Sequence, residues 1–150
     1  MKMRLLAGLL ALLLLCPVAT LGASSVTQTW TVATKDVSIL TFSWTADTDG
    51  SVTSTASDRA VDGFVVLVVT DPGTPAPTAG YDIALEDADG VDIMGHQLED
   101  RGSTDSEHAV PWVRSQVAPQ GRWVSGFLTL VVEHNAVSGA QGEVKVFIRR

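Results

Sequence analysis

The chain has 150 residues, of which 45% are hydrophobic and 18% charged, and its 17 acidic and 10 basic side chains give a formal net charge of -7. This composition is too apolar and too weakly charged for a disordered protein, and it lacks the glycine period of collagen and the cysteine density of a disulfide scaffold. The negative charge argues against nucleic-acid binding, which needs a basic surface to displace counterions. We therefore expect one acidic globular domain.

The first residues carry the pattern of an export signal. Lys2 and Arg4 give a positive start, residues 5–15 form an almost unbroken apolar run, and small residues at 22–23 supply a cleavage site. The run is shorter than the ~20 residues that a membrane helix needs. We predict a cleaved signal peptide at residues 1–23 and a single mature domain at 24–150, with no stable membrane span after cleavage. An uncleaved anchor is the alternative.

Cys16 is the only cysteine of the chain and lies within the predicted signal. Leu15 before it and Pro17 after it both depart from the pattern of a lipoprotein signal, so lipid attachment is not expected. A mature domain that begins at residue 24 has no cysteine and therefore no disulfide. Its stability must come from the packing of its core.

The dominant period of the mature chain is two residues. Apolar and polar side chains alternate through residues 26–33, 39–44 and 144–149, which predicts strands with one buried and one solvated face. Residues 64–69 and 127–132 are almost continuously apolar and predict central strands that are covered on both faces. The β-branched and Trp content supports this interpretation. The chain is predicted to be all-β.

Turn-forming residues separate these strands. Residues 47–50 (Asp-Thr-Asp-Gly) predict a hairpin turn before the Thr/Ser-rich stretch 51–57, and Asp89-Gly90 predicts a second hairpin that joins 81–85 to 91–94. Asp62-Gly63 indicates a bulge before an apolar strand. Residues 71–80 contain three prolines. We expect them to stay out of the strand ladders and to carry the chain over the surface from one sheet to the other.

One short helix is expected near residues 104–110, because Thr104 and Glu107 have the spacing of a capping box and Pro111 limits the helix to about two turns. About eight strands with regularly spaced turns predict a two-sheet antiparallel β-sandwich, immunoglobulin-like or jelly-roll-like. A small closed barrel is the alternative. The order of the strands does not follow from the sequence.

The candidate metal ligands are Asp87, Asp89 and Asp92, which form an Asp-x-Asp-Gly-x-Asp run. Calcium prefers several oxygen ligands, and carboxylates on alternate loop residues can converge on it. An EF-hand loop needs a bidentate Glu at its end, where this chain has Leu98. The competing interpretation is a hairpin turn whose Asp and Gly residues suit positive φ. Calcium is the one cofactor that the sequence suggests.

No catalytic motif is found in the sequence. His96, His108 and His134 match no zinc spacing, and no cysteine of the mature domain accompanies them. The chain has neither a Gly-x-Ser-x-Gly elbow nor a nucleotide-binding loop. Paired carboxylates for glycoside cleavage stay open, because their pairing is spatial. We expect a protein that is not an enzyme.

Four tryptophans divide into two pairs. Trp30 and Trp44 follow the strand alternation and are predicted to lie in the core. Trp112 stands beside Pro111, and Trp123 stands at the start of a predicted strand, so these two are predicted to be exposed. Exposed indole rings stack on sugars or anchor protein partners. Trp112 and Trp123 are therefore the candidate ligand-binding residues.

One segment carries a family resemblance. Residues 73–78 (Gly-Thr-Pro-Ala-Pro-Thr) lead into the pattern Tyr-Asp-x-x-Leu-x-Asp-x-x-Gly-x-Asp at 81–92, followed by Gly95 and Arg101. This segment resembles one in small β-rich structural proteins of tailed phages and prophages. The pattern at 126–130 and the final strand, which ends in Ile148-Arg149, are also similar, and the similarity spans most of residues 37–150.

The resemblance implies a virion or virion-associated structural role and brings no catalytic residues with it. The predicted export signal departs from that family, because a capsid or tail component assembled in the cytoplasm needs none. We expect a non-catalytic exported structural or interaction module that is secreted or located in the periplasm or cell envelope, or in the virion if it is phage-encoded. Its partner would be an assembly protein or a second copy of itself, and nucleic acid is not expected. The alternative is a carbohydrate- or surface-binding module assisted by calcium.

Overall fold

The structure of the protein, a computed structural model, describes residues 22–112 and 121–150. The predicted signal peptide lies almost entirely outside these residues. Nine strands and no helix are found in the described part of the chain. None of its segments is a helix of the length and apolar character needed to cross a membrane. The strands are β1 (Ser25–Thr34), β2 (Val37–Thr45), β3 (Thr55–Ala56), β4 (Val61–Pro72), β5 (Asp82–Glu86), β6 (Glu107–Ala109), β7 (Arg122–Gly126), β8 (Thr129–Glu133) and β9 (Gln141–Arg149).

The strands form two antiparallel sheets. The large sheet has the order β1-β2-β9-β4-β6, and β7 also pairs with β4; the small sheet has the order β3-β8-β5. Every pairing within the two sheets is antiparallel. The predicted all-β class and the two-sheet sandwich are confirmed, with nine strands where about eight were expected.

The core lies between the two sheets and follows directly from the period of two. In β2 and β9 every second residue is buried, and each such large apolar side chain stabilises the fold by about 1.5–3 kcal/mol. Loop residues that follow β5 close the core at one end. The fully buried apolar side chains of the large sheet include Leu40, Phe42, Val65, Val68, Val144 and Val146, those of the small sheet include Leu85 and Leu130, and those of the loop are Ile93, Met94 and Leu98.

The two tryptophans predicted for the core have different environments. Trp44 is 2% exposed and packs against Tyr81, with ring centroids 5.9 Å apart. Trp30 is only half-buried, so that its prediction was partly wrong. It lies on β1, the edge strand, which has a neighbour on one side only. Its Nε1 donates to Asp58 Oδ1 at 2.6 Å, and the Arg59 guanidinium lies 5.6 Å from its ring centroid.

The two continuously apolar segments are interior strands, but their outer faces are not fully covered. Residues 64–69 belong to β4 and residues 129–132 to β8, the middle strand of the small sheet. Within β4, Phe64 and Leu67 are partly exposed while Val65 and Val68 are fully buried. The bulge of β4 lies between Val65 and Leu67, where the register with β9 shifts, and not at residues 62–63 as predicted.

The two predicted hairpin turns form as turns, with a different role for each. At residues 47–50 the Gly50 N–H donates to Asp47 O at 3.1 Å, but β2 before the turn and β3 after it belong to different sheets. This prediction of a hairpin was wrong: the turn carries the chain across the sandwich. At residues 87–91, Gly90 has a φ of +74°, and the returning chain makes a single bridge, Glu86 to Asp92, instead of a full strand.

The proline-rich segment crosses between the sheets as predicted, from β4 in the large sheet to β5 in the small one. Its first two residues nevertheless belong to a ladder, since Asp71 and Pro72 stand opposite Glu143 and Gly142 of β9. Proline is tolerated here because β6 pairs with β4 only as far as Thr70, so that Pro72 has a strand partner on the β9 side alone among the described residues. The prediction that residue 71 begins the loop was therefore wrong by two residues.

The expected short helix near residues 104–110 is absent, and that prediction was wrong. Residues 107–109 form β6, which pairs with β4. Glu107, expected to cap a helix, instead accepts the Gly102 N–H at 2.7 Å and lies 3.7 Å from Arg101. Thr104 donates to its neighbour Asp105. Pairing with the open side of β4 therefore overrides a weak local signal for a helix.

Candidate functional site

The outer face of the large sheet carries a continuous apolar cluster at one end. Side chains that alternate with the core residues point away from the small sheet. Ile39, Phe147 and Leu67 stand opposite one another on the adjacent strands β2, β9 and β4, and all three are partly exposed. Next to this row, Phe64 of β4 stands opposite Trp123 of β7. We call Ile39, Phe64, Leu67, Trp123 and Phe147 the outer apolar patch.

Aromatic packing orders the end of the patch formed by Phe64 and Trp123. The rings of Phe64 and Trp123 meet edge to face, with centroids 5.1 Å apart, and pairs of this kind contribute about 0.5–1.5 kcal/mol beyond their buried area. The Arg149 guanidinium lies 5.8 Å from the Phe64 centroid on the same face. Trp123 is still 54% exposed. The Trp123 ring is therefore both exposed and packed against a neighbouring aromatic ring.

The other end of the same face is polar. Lys145 pairs with Glu143 at 2.9 Å and lies 4.0 Å from Asp71, and Ser43 donates to Glu143 at 3.3 Å. A shallow groove of about 320 Å³ runs along this end, lined by hydroxyl, amide and carboxylate side chains together with Trp44 and Pro72. The face thus changes from polar to apolar along the direction of its strands.

A second candidate site lies on the small sheet. A groove of about 530 Å³ is lined by side chains of β5, of β8 and of the turn that follows β5. Its polar lining is almost wholly acidic. The acidic members are Asp82, Glu86, Asp92, Glu99 and Glu133, and His96 stands beside them.

Asp82 organises one wall of this groove. Its Oδ1 accepts the Asp100 N–H at 2.8 Å, and its Oδ2 lies 2.6 Å from His134 Nδ1. The Asp100 N–H lowers the pKa of Asp82, and His134 lowers it further. An ionised carboxylate can only accept, so Nδ1 of His134 must donate. This hydrogen bond raises the pKa of His134.

Asp100 and His134 both have positive φ, 53° and 57°. Such a backbone costs non-glycine residues about 1–3 kcal/mol and persists only when its surroundings hold it. Their shared bonds to Asp82 supply that restraint. Sequence reasoning missed this arrangement, because the residues that meet come from β5 and from two separate loops. Asp82 itself lies in the segment that carries the resemblance, but nothing in the sequence indicates that Asp100 and His134 meet it.

The three candidate metal ligands lie in one turn, but two of them already have partners. Asp87 Oδ1 accepts the N–H groups of Asp89 and Val91, both at 3.0 Å. Asp92 accepts the N–H groups of Met94 at 3.0 Å and of residue 96 at 2.7 Å. Within residues 22–112 and 121–150, no group of three or more His, Cys, Asp or Glu side chains is arranged to hold a metal ion.

Calcium binding by Asp87, Asp89 and Asp92 stays a prediction. Thermal unfolding with calcium and with EDTA tests it, because an ion that binds only the folded state raises the midpoint. A rise of several degrees supports the ion site. Coincident curves at millimolar calcium leave these carboxylates as acceptors for turn amides.

The two candidate ligand-binding tryptophans are exposed as predicted, at 55% for Trp112 and 54% for Trp123. They do not form one site. Trp123 belongs to the outer apolar patch. The backbone N–H of Trp112 donates to Met94 O at 3.1 Å, and the Trp112 Cβ lies close to Gly95, at the turn beside the acidic groove. The two tryptophans thus belong to different parts of the fold.

The three histidines are likewise separate. His134 bonds Asp82, and His96 Nδ1 lies 2.6 Å from Glu99 Oε1. His108 stands on β6 opposite Val69. No zinc-like grouping of these three residues is found in the described part of the chain.

Comparison with known proteins identifies no relative: no family model, no curated protein and no solved structure matches the chain.

Proposed function

We propose that the protein is a non-catalytic structural module that binds another protein surface through the outer apolar patch. The observation that carries the proposal is the row of Ile39, Phe147 and Leu67 across three strands, extended by Phe64 and exposed Trp123. A soluble monomer rarely keeps a contiguous apolar surface of this kind without a use for it.

The order of the patch supports protein binding in particular. Its side chains stand on paired strands and are already ordered. Little conformational entropy is therefore lost when a partner binds them. Trp and Phe provide the large rigid contact area that dominates binding energy at interfaces. Lys145, Glu143 and Asp71 provide a charged rim on the same face. An apolar centre with a charged rim is the usual anatomy of a protein interface.

The resemblance to phage structural proteins agrees with this assignment, since those proteins work by assembly. With the predicted export signal, the proposal places the protein outside the cytoplasm, in the cell envelope, the medium or a virion. Its partner would be an assembly protein or another copy of the chain.

The test removes the patch without disturbing the strands. Threonine suits a strand and is polar, so we would compare the wild type with Ile39→Thr/Phe147→Thr. The assay measures the mass of the complex that contains the protein, in a mild lysate of the cells that produce it. The proposal predicts that the wild type is found in a complex with a mass above that of one chain. In the double variant this complex should be lost, leaving the free chain or its dimer.

Thr41→Ser, on the same face of β2, is the matched control, and circular dichroism checks that all variants keep their strands. An unchanged complex in the double variant, or a wild-type protein with a mass no larger than that of one chain, would contradict the proposal.

A second candidate function is carbohydrate binding at the acidic groove. It is favoured by one observation: exposed Trp112 packs on Gly95 next to His96, which lines the groove. An indole stacks on a sugar ring while carboxylates accept its hydroxyls. A glycan array, run with and without calcium, tests it with Trp112→Ala against Trp123→Ala. Binding lost only in Trp112→Ala supports this function, and a blank array removes it.

A further inference from the structure

The edges of the two sheets are protected very unequally. An edge strand presents a row of unpaired N–H and C=O groups, and native proteins shorten, cover or charge such edges to prevent unwanted pairing. The small sheet follows this rule on both sides. β3 is only Thr55–Ala56. On β5, the Ile83 N–H donates to Leu98 O at 2.9 Å, and Leu85 O accepts the Ile93 N–H at 2.8 Å.

The β4 side of the large sheet is also interrupted. β6 and β7 both pair with β4, but they are separate pieces. Ala109 stands opposite Val68 and Arg122 opposite Val65, and the two β4 residues between them, Val66 and Leu67, have no partner in β6 or β7 among the described residues. The bulge of β4 lies at the same place. A partner strand would find no continuous row of backbone groups along this side.

Apart from an irregularity in its register with β2 between Val32 and Thr34, β1 has none of these protections among the described residues. It is ten residues long, and β2 is its only neighbour in the sheet. Its sequence, Ser-Val-Thr-Gln-Thr-Trp-Thr-Val-Ala-Thr, contains no charge and no proline, although the chain as a whole carries 27 charged Asp, Glu, Lys and Arg side chains, 17 acidic and 10 basic. Lys35 follows only after the strand ends.

We propose that β1 pairs antiparallel with β1 of a second copy of the chain, so that the two large sheets become one continuous sheet. The pairing is self-complementary. Thr27, Thr29 and Thr31 share the exposed outer face, and a two-fold axis through any one of them sets polar outer residues opposite one another. Thr–Thr pairs across strands are favourable, whereas like charges directly opposite are unfavourable. The uncharged strand lets two acidic chains approach.

A second copy fits this edge better than an unrelated strand does. A two-fold contact between the β1 strands uses the β1 edge of both copies. Neither copy then has a free β1 edge, so this pairing stops at a dimer. The contact lies apart from the outer apolar patch. In the dimer the two outer faces are continuous, and both patches face the same side, so that a partner surface would be bound twice.

Cysteine cross-linking locates the contact. In a full chain carrying Cys16→Ser, the variants Thr27→Cys, Thr29→Cys and Thr31→Cys are oxidised separately. Residues directly opposite in an antiparallel pair have Cα atoms about 4.5–5.5 Å apart, within disulfide range. We expect one of the three to form a covalent dimer in high yield, and Ser125→Cys on β7 to stay monomeric. Equal yields at all four positions, or none, would overturn the proposal.

Sedimentation of the purified full chain measures the affinity and separates this inference from the proposed function. We expect a dimer in the wild type and in Ser125→Lys, and a monomer in Thr29→Lys, whose added charge lies against its copy. A wild-type monomer at every concentration, or a dimer unchanged in Thr29→Lys, overturns the inference. A dimer lost in Ile39→Thr/Phe147→Thr but kept in Thr29→Lys also overturns it, while it supports the outer apolar patch as an interface.

Discussion

Gly142 is a position where the core leaves no room for a side chain. It stands on β9 opposite Trp44 of β2, whose indole occupies the space next to the glycine. A Cβ at residue 142 would lie 2.7 Å from Cζ2, 2.8 Å from Cε2 and 2.9 Å from Nε1 of Trp44. Trp44 is 2% exposed and packed against Tyr81, so it has little room to move.

We expect Gly142→Ala to destabilise the protein by about 3 kcal/mol, the upper end of the 1–3 kcal/mol typical of overpacked cores, because both the strand and the indole are held in place. For a chain of this size the midpoint of thermal unfolding should fall by about 2–4 °C per kcal/mol. Denaturant unfolding measures the same loss as a lower midpoint with an unchanged slope. Gly102→Ala is the matched control, since its Cβ would come no nearer than 3.5 Å to Glu107.

A double-mutant cycle with Trp44→Phe tests the cause. Phenylalanine is smaller than tryptophan and removes part of the contact with residue 142. Gly142→Ala should therefore lower the free energy of unfolding by less in that background, with a coupling energy of about 1 kcal/mol or more. The reasoning is refuted if Gly142→Ala is as stable as Gly102→Ala, or if its cost is the same with Phe at residue 44.

Three further predictions concern the loops. Asn135→Ala should cost about 2 kcal/mol, because it leaves the Thr78 N–H and Gly50 O, bonded at 3.0 and 2.8 Å, without their partner; urea unfolding measures it. Asp87→Ala should cost about 1 kcal/mol and Asp87→Asn much less, since Asn keeps the oxygen that accepts the turn amides; equal losses would contradict this. The stabilisation from the Asp82–His134 pair should be largest between pH 3.8 and 6.5, because the pKa of Asp82 is lowered from 3.8 and that of His134 raised from 6.5. It should be lost as the pH falls through the lowered pKa or rises through the raised one, and a His134→Ala variant that matches the wild type across this range would contradict it.

The sandwich could be predicted from the sequence because burial imposes a local period. In β2 and β9 alternate residues are buried, and the same alternation is visible in the amino-acid order. The exposure of Trp112 and Trp123 also followed from local context, a proline before one and a strand start at the other. These properties depend on neighbours in the chain.

Properties that depend on distant residues could not be predicted. Whether residues 104–110 form a helix depends on the free side of β4, which pairs with residues 107–109. Whether residues 47–50 make a hairpin depends on the sheet to which β3 belongs. Trp30 has the sequence pattern of a core residue, but its strand lies at an edge.

The outer apolar patch was hidden for the same reason. Ile39, Leu67 and Phe147 come from three strands far apart in sequence, and their alignment depends on the strand order. Continuous apolar runs such as residues 64–69 were interpreted as strands covered on both faces. The structure leaves the outer side chains of that run partly exposed. The same hydrophobicity therefore belongs to a candidate interface as well as to the core.

Site-specific photo-crosslinking tests the central claim most directly. A benzophenone amino acid replaces Trp123 in the outer apolar patch or, as the matched control, Val91, which is 46% exposed in the turn after β5. The cells that produce the protein are then irradiated, and the products are identified by mass spectrometry. The account predicts a defined protein adduct from residue 123 and none from residue 91. Adducts that are equal at both positions, or found only at residue 91, would contradict it.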